Sequence, residues 1–565
     1  MRKYLYMSAV AVLGLAATSC SSKLGALSAD NFTVTPTPLE EVGGVVDATI
    51  SATFPEKYMN KNASVVVTPV LKFDGQEVTS PSSTFQGEKV EGNGTTVNYK
   101  VGGNYTMKAQ FNYTDEMQQS DLYLRFAATV GGKTVEIPEV KVGYGIVSTA
   151  SLLQGTVFTA SPATAADAFQ KVIKQKQEAQ IKYLVNQANV RASELKTTSI
   201  QDFVRILKEI NDNEATRKLT NIEVSAYASP EGSYDFNEKL AQKRQKSGAD
   251  YVNQQLKKNK MTADVETHYT AEDWEGFQQL VAESNIQDKD VILRVLSMYK
   301  DPVEREQQIR NMSVVYDELA KGILPELRRA RLIANYEVIG RTDEQIVEQF
   351  ASDARKLSLE ELLYGANLQE DLQTKKAWYE KAAQLYPTDA RAFNNLASIA
   401  YQTGDLASAK NYIEKAKSLS GSAAEVATNE ALLALANGNA AGAETLLARG
   451  TGSESYSEVM GNLNIAKGNY AAAAAALAGT KSNSAALAQI LNKDYNSAAS
   501  TLAAIANPDG YTSYLKAVLA ARTNDANGVV SNLRTAIEKD SSLAARAAKD
   551  LEFAAYATQI AGLVK

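Results

Sequence analysis

Gly404-Asp405-Leu406-Ala407-Ser408-Ala409 returns 34 residues later as Gly438-Asn439-Ala440-Ala441-Gly442-Ala443, and after a further 30 as Gly468-Asn469-Tyr470-Ala471-Ala472-Ala473. Two weaker copies follow, Lys493-Asp494-Tyr495-Asn496-Ser497-Ala498 and Asn524-Asp525-Ala526-Asn527-Gly528-Val529. Each hexad has the chemistry of a turn between two helices. Gly or Asn accepts the left-handed backbone that ends one helix, Asp or Asn caps the next, and the small residue five places on lets the paired helices approach closely. From residue 342 every periodic segment reads as helix and alanine dominates, with Ala471 to Ala476 unbroken. Helix pairs at this spacing predict an α-solenoid over 342–565, each pair burying its face on the next. An Ala-rich bundle without repeat order is the alternative reading of the same composition.

Upstream, Trp378-Tyr379-Glu380-Lys381-Ala382 and Tyr386-Pro387 supply an aromatic, a small residue and a closing proline. With the hexads, they make the C-terminal third resemble a tetratricopeptide solenoid. Residues 377–419 match it well, and the later copies match it only in their turns. The resemblance implies a protein partner held along the concave surface.

Before the repeats, 151–341 reads as an α/β domain: a helix over 161–176, strands at 179–190, 219–227, 263–269 and 330–339, and helices at 200–211, 234–259, 273–283, 288–299 and 302–321. Its centre is a strand, a turn with Pro230 and Gly232, and a long helix. Ser229, Gly232, Asn237, Leu240 and Arg244 fall there in a register that resembles the C-terminal peptidoglycan-binding domain of the OmpA family. In that family an Asp and an Arg grip the ammonium and the carboxylate of diaminopimelate. Ser229 stands at the Asp position and brings no charge, although Glu231 lies two residues away. Charge-assisted hydrogen bonds contribute about 1.5–3 kcal/mol, so their loss weakens binding about ten- to hundredfold. The resemblance thus makes Ser229, Gly232, Asn237 and Arg244 the candidate ligand residues, with peptidoglycan a ligand weakened by Ser229. A fold kept only as scaffold is the competing reading. Arg328-Arg329 and Arg331 are read as a helix end, where cations favour the dipole.

Residues 31–150 are punctuated as short strands at 45–54, 63–73, 95–101, 105–113, 122–130 and 133–142, with hairpin turns at Asp74-Gly75 and Gly131-Gly132. That pattern predicts a β-sandwich of immunoglobulin-like type. The stretches Val34-Thr35-Pro36-Thr37-Pro38-Leu39, Phe54-Pro55-Glu56-Lys57-Tyr58 and Val67-Thr68-Pro69-Val70-Leu71 resemble the N-terminal module of envelope proteins from Bacteroidota. At the start, Arg2-Lys3 and an apolar run to Ala17 read as a signal peptide over 1–19. Ala17-Thr18-Ser19-Cys20 resembles a bacterial lipobox, which implies that Cys20 is diacylated and that 20–30 is a lipidated tether. Ordinary signal cleavage beside an incidental Cys is the alternative. Ser21-Ser22-Lys23-Leu24 holds no acidic residue, which by resemblance to lipoprotein export in this group implies a periplasm-facing chain.

Composition narrows the chemistry. The 565 residues are too many for one core. With 59 basic and 65 acidic residues the net charge is −6, against a general nucleic-acid binder. One Cys and one His exclude Cys-His nucleophilic sites, multi-ligand zinc sites and structural disulfides. His268, in a strand, is read as structural, and no cofactor or metal is expected. The leading expectation is a non-catalytic, outer-membrane-anchored adaptor with an envelope protein partner on its solenoid. The alternatives are a carboxylate-based enzyme of cell wall or glycans, and a surface-exposed nutrient-uptake lipoprotein.

Overall fold

A computed structural model of the protein describes residues 24–286, 288–311 and 313–564. The signal at 1–19 and Cys20 lie outside the described residues. The chain divides into two compact units: one joins residues up to Asp167 with those from Gln369 on, and the other is Ala168–Leu368. The first unit begins sheet-rich. Strand β1 (Val45–Phe54) pairs antiparallel with β3 (Gly103–Asn112) in a five-stranded sheet, and β2 (Ala63–Phe73) pairs with β4 (Asp121–Val130) in a seven-stranded one. Alternation sends Val46 and Ile50 of β1, Val65 and Val67 of β2, and Leu122 and Leu124 of β4 into one shared core. The turns Asp74-Gly75 and Gly131-Gly132 hold positive φ at both positions, which matches the twist of the flanking strands. The strand read over 95–101 forms only as Thr95–Val97, because an Asn98–Gly102 bridge closes a turn after it.

The second unit is a four-stranded sheet in the order β5 (Val172–Lys182), β8 (Arg329–Ile339), β6 (Arg217–Tyr227), β7 (Asp264–Thr270). The β6–β7 pair is parallel and the others are antiparallel. Helices α1 (Thr198–Asp212) and α2 (Tyr234–Lys258) cover one face, where Phe203, Leu207 and Val252 meet Ile181, Val224 and Leu332. Short helices between β7 and β8 form a second small core around Phe277, Ile292 and Leu327. Three features differ from the sequence reading. Residues 161–171 form no helix, and the strand expected over 179–190 is β5, Val172–Lys182, with 183–190 outside it. Residues 151–167 belong to the first unit. Helices Asp343–Asp353 and Leu359–Asn367 belong to the second, held by Phe169 stacked on Tyr364 at 4.5 Å and by the Arg341–Glu361 pair at 2.7 Å.

From Leu372 the first unit resumes as a helical repeat: α3 (Leu372–Leu385), α4 (Ala390–Gln402), α5 (Leu406–Leu419), α6 (Ala424–Ala436), and then, as first helices of later pairs, α7 (Tyr456–Ala466), α8 (Asn483–Leu491) and α9 (Gly510–Arg522). The hexads behave as their chemistry dictates. Gly404, Gly438, Gly468, Lys493 and Asn524 all hold positive φ. Asp405 accepts from the Ser408 N–H at 3.0 Å, Asn439 from Gly442 at 2.9 Å, and Asp525 from Gly528 at 2.9 Å. Ala409, Ala443, Ala473, Ala498 and Val529, five places into each hexad, are fully buried between helices. Among the described residues no helix is long and apolar enough to cross a membrane.

Candidate functional site

Asparagine is a poor residue for a helix interior, because its amide competes for backbone hydrogen bonds. The first helices of the repeat nevertheless carry Asn394 and Asn395 on α4, Asn429 on α6 and Asn462 on α7, all almost fully buried. Three of them hold an extended stretch of the protein's own chain. Asn429 Oδ1 accepts from the Ala163 N–H at 2.7 Å, and its Nδ2 donates to the Ala163 carbonyl at 2.8 Å. The same carbonyl accepts from Asn394 Nδ2 at 3.1 Å and Ser398 Oγ at 2.6 Å. Asn395 repeats the arrangement one alternate residue on: its Oδ1 accepts from Ala165 N–H at 2.7 Å and its Nδ2 donates to Ala165 O at 3.2 Å. A carboxamide matches both halves of a peptide group, so each of these side chains behaves like a neighbouring β-strand.

The grip extends along residues 149–167. Tyr401 donates to the Val157 carbonyl at 2.7 Å and Arg391 to that of Asp167 at 3.2 Å. Glu454 accepts from both the N–H and the hydroxyl of Thr164, and Glu458 from the Ser161 N–H at 3.3 Å. Burial raises the Glu458 carboxyl above the usual carboxylate range. At the near end Arg522 holds Glu552 at 2.6 Å, which receives the Thr149 hydroxyl, and Arg546 donates to Ser148 O at 3.1 Å. These side chains of the repeat are therefore engaged by the chain itself. The recurring Asn on otherwise apolar helix faces was the sequence signal for these residues, and it lies outside the hexads.

The candidate residues of the second unit come together at the turn after β6, in a closed form. Ser229 Oγ donates to Glu231 Oε1 at 2.9 Å, and Glu231 is gripped by Arg328, whose Nε and Nη2 each lie 2.9 Å from one carboxylate oxygen. Asn237 Nδ2 donates to the Gly232 carbonyl at 2.9 Å and ties the turn to the start of α2. Arg244 is 0% exposed. Its three nitrogens donate to the carbonyls of Gln187 at 3.0 Å, Tyr227 at 2.9 Å and Leu184 at 3.2 Å, and its guanidinium lies over the Tyr183 ring. Burial is the main force pushing its pKa down to about 10. A guanidinium so enclosed has no face for a ligand carboxylate. Arg328 caps the C-terminus of the short helix Leu324–Leu327, as read from the sequence, and both arginines are paired: Arg328 closes on Glu231, and Arg329 pairs with Asp273 at 2.9 Å. His268 is exposed on the edge strand β7. Among the described residues no group of His, Cys, Asp or Glu could hold a metal ion.

No protein-family model matches the chain, and no curated protein does. Among solved structures it is similar to a tetratricopeptide repeat protein from Parabacteroides merdae, at 14% identity over 41% of this chain and 93% of that one, with a TM-score of 0.28. It is also similar to YrrB, a TPR protein with an unusual peptide-binding site, at 15% identity over 35% of this chain and 94% of that one, TM-score 0.18. A third similarity is to pilF of Pseudomonas aeruginosa, at 14% identity over 40% of this chain and all of that one, TM-score 0.25. The chain thus has an N-terminal sheet-rich region, a C-terminal helical repeat, and tetratricopeptide proteins among its structural neighbours.

Proposed function

We propose that the protein is a non-catalytic scaffold that binds a polypeptide partner through its helical repeat, held at the outer membrane by lipid on Cys20 and facing the periplasm. In this reading the repeat is of tetratricopeptide type and the sheet-rich region is an immunoglobulin-like sandwich. The observation that carries the reading is the pair of side-chain amides, Asn395 and Asn429, that each engage both the N–H and the C=O of one residue of an extended chain. Groups placed this way recognise main chain, which every protein partner offers. The test is a photo-crosslinking amino acid placed in the full-length protein at Thr388 or Glu454, exposed residues beside the groove, with Glu91 of the sandwich as control. Irradiated envelopes are expected to give a discrete protein adduct from the first two positions and none from Glu91. An adduct pattern confined to Glu91 would move partner binding to the sandwich.

The anchor rests on Cys20 as the single thiol of the chain at the end of a signal-like run. Cys20→Ala is expected to shift the protein from the membrane fraction to soluble periplasm, read by fractionation and immunoblot. A variant that still floats with outer membrane removes the lipid anchor from the proposal.

In the same reading the OmpA-like unit serves as scaffold and not as a wall clamp. Arg244 is spent on three carbonyls, and Ser229 already donates to Glu231. Titrating the full chain with diaminopimelate-containing wall fragments should therefore give no saturable binding below the millimolar range. Ser229→Asp should give no gain, since it sets a second carboxylate against Glu231. Micromolar binding by either form would reinstate the wall-binding site.

A further inference from the structure

The part of the bound segment at 161–167, Ser-Pro-Ala-Thr-Ala-Ala-Asp, has two properties that set it apart from a core strand. It is read almost wholly through main chain, at the N–H groups of Ser161, Ala163, Thr164 and Ala165 and the carbonyls of Ala163, Ala165 and Asp167. Its side chains are small, so they bury little apolar area. Beside Ala165 lies a cavity of about 310 Å³ that its methyl does not fill. Leu419, Ala423 and Val426 give that cavity an apolar wall, and Glu425 also lines it. The Glu425 carboxylate has no hydrogen-bond or ion-pair partner among the described residues. Arg391, at the same cavity, is engaged by Asp389 at 3.1 Å and by the Asp167 carbonyl at 3.2 Å. Glu454 and Glu458 add two further carboxylates along the segment.

A cavity lined by apolar residues and an unpaired carboxylate suits a long aliphatic stem with a cation at its tip, the form of lysine and arginine. We propose that residues 161–167 are an internal stand-in for the repeat's ligand, and that the ligand is an extended basic segment of a partner protein carrying lysine or arginine at the place of Ala165. The partner's main chain takes over the bonds that Asn394, Asn395 and Asn429 now give to Ala163 and Ala165. Its cationic side chain adds a contact to Glu425 that the internal segment lacks, and that difference drives the exchange. This inference rests on the reading of the repeat as a polypeptide-binding scaffold.

The first test puts the basic side chain into the internal segment of the full-length protein and follows hydrogen exchange at residues 161–167, which reports opening of this segment alone. Ala165→Lys is expected to slow exchange there about fivefold, the range of a partly solvated ion pair. Glu425→Gln is expected to erase the gain while leaving the parent segment's protection unchanged. A gain from Ala165→Met equal to that of lysine and indifferent to Glu425→Gln would overturn the basic specificity, as would no gain from lysine. The second test adds to the wild-type chain, at millimolar concentration, a peptide copying 161–167 with lysine in its fifth place. Faster exchange of the internal segment with that peptide, and not with the unaltered copy, supports displacement; no change with either overturns it. Failure here is distinct from failure of the scaffold reading: a partner adduct from Thr388 or Glu454 together with no lysine gain keeps the scaffold and removes the basic ligand.

Discussion

Arg244→Met is expected to cost the Ala168–Leu368 unit about 3–5 kcal/mol, a large share of the roughly 5–15 kcal/mol by which a domain is ordinarily folded. Taking a charge out of the interior is by itself favourable, and the depressed pKa near 10 records that burial opposes it. What decides the sign is what remains. The carbonyls of Gln187 and Tyr227 lose the guanidinium donor, whereas Leu184 O keeps its bond from the Gln187 N–H at 3.1 Å, and each polar group left unsatisfied costs about 1–3 kcal/mol. These carbonyls fix the end of β6 and the loop after β5, so the loss falls on the geometry of the sheet edge as well as on α2. Arg244→Lys keeps the charge but offers one ammonium in place of a three-way fork, and should fall between parent and methionine. Urea melts of the full chain, with a tryptophan signal from Trp274 in the same unit, give the comparison. A methionine variant within 1 kcal/mol of the parent would return Arg244 to the list of free cations and reopen it as a ligand group.

Ala409→Glu is expected to destabilise the repeat by at least 3 kcal/mol, on the order of what an unpaired buried charge costs. Ala409 is fully buried among Ala400, Tyr401, Leu432 and Ala443, and its methyl sets how closely α5 approaches its neighbours. A glutamate there must either ionise in an apolar contact or hold the helices apart. Tyr401 also donates to Val157, so movement of α4 is expected to loosen the groove segment as well. Ala407→Glu, two residues away and exposed, is the control and should change stability by less than 0.5 kcal/mol. Circular dichroism melts with limited proteolysis of the repeat read both. Equal melting of the two variants would show that the hexad alanine carries no packing role.

The repeat was legible because its signal is local. A left-handed residue, a cap and a small residue within six positions define a turn wherever they occur, and even Lys493 and Asn524, without glycine, take the required backbone. The β-turn-α unit was legible for the same reason. The stretch at 161–176 was not. Its alanines, lysines and glutamines favour helix intrinsically, but side-chain amides more than 200 residues away supply its backbone with partners, and β8 supplies those of β5. Arg244 shows a second limit. Its spacing from Ser229 fits the OmpA pattern, yet spacing along a helix does not tell whether a guanidinium faces a ligand or its own backbone. That depends on which carbonyls the loop after β5 leaves unpaired, and no motif records it.

The hydrogen bond from Asn429 to Ala163 spans 266 residues of sequence, with the whole Ala168–Leu368 unit between its two ends. A chain made from its N-terminus at 5–20 residues per second produces the ligand stretch roughly 10–50 s before the helix that reads it. Through that interval the peptide groups of residues 161–167 are hydrated, while the intervening unit has all its strands and can complete its sheet. Closure of the groove over residues 161–167 is thus a late, high-contact-order event that waits for α6, and a truncated product lacking α6 leaves the stretch without the two Asn429 bonds.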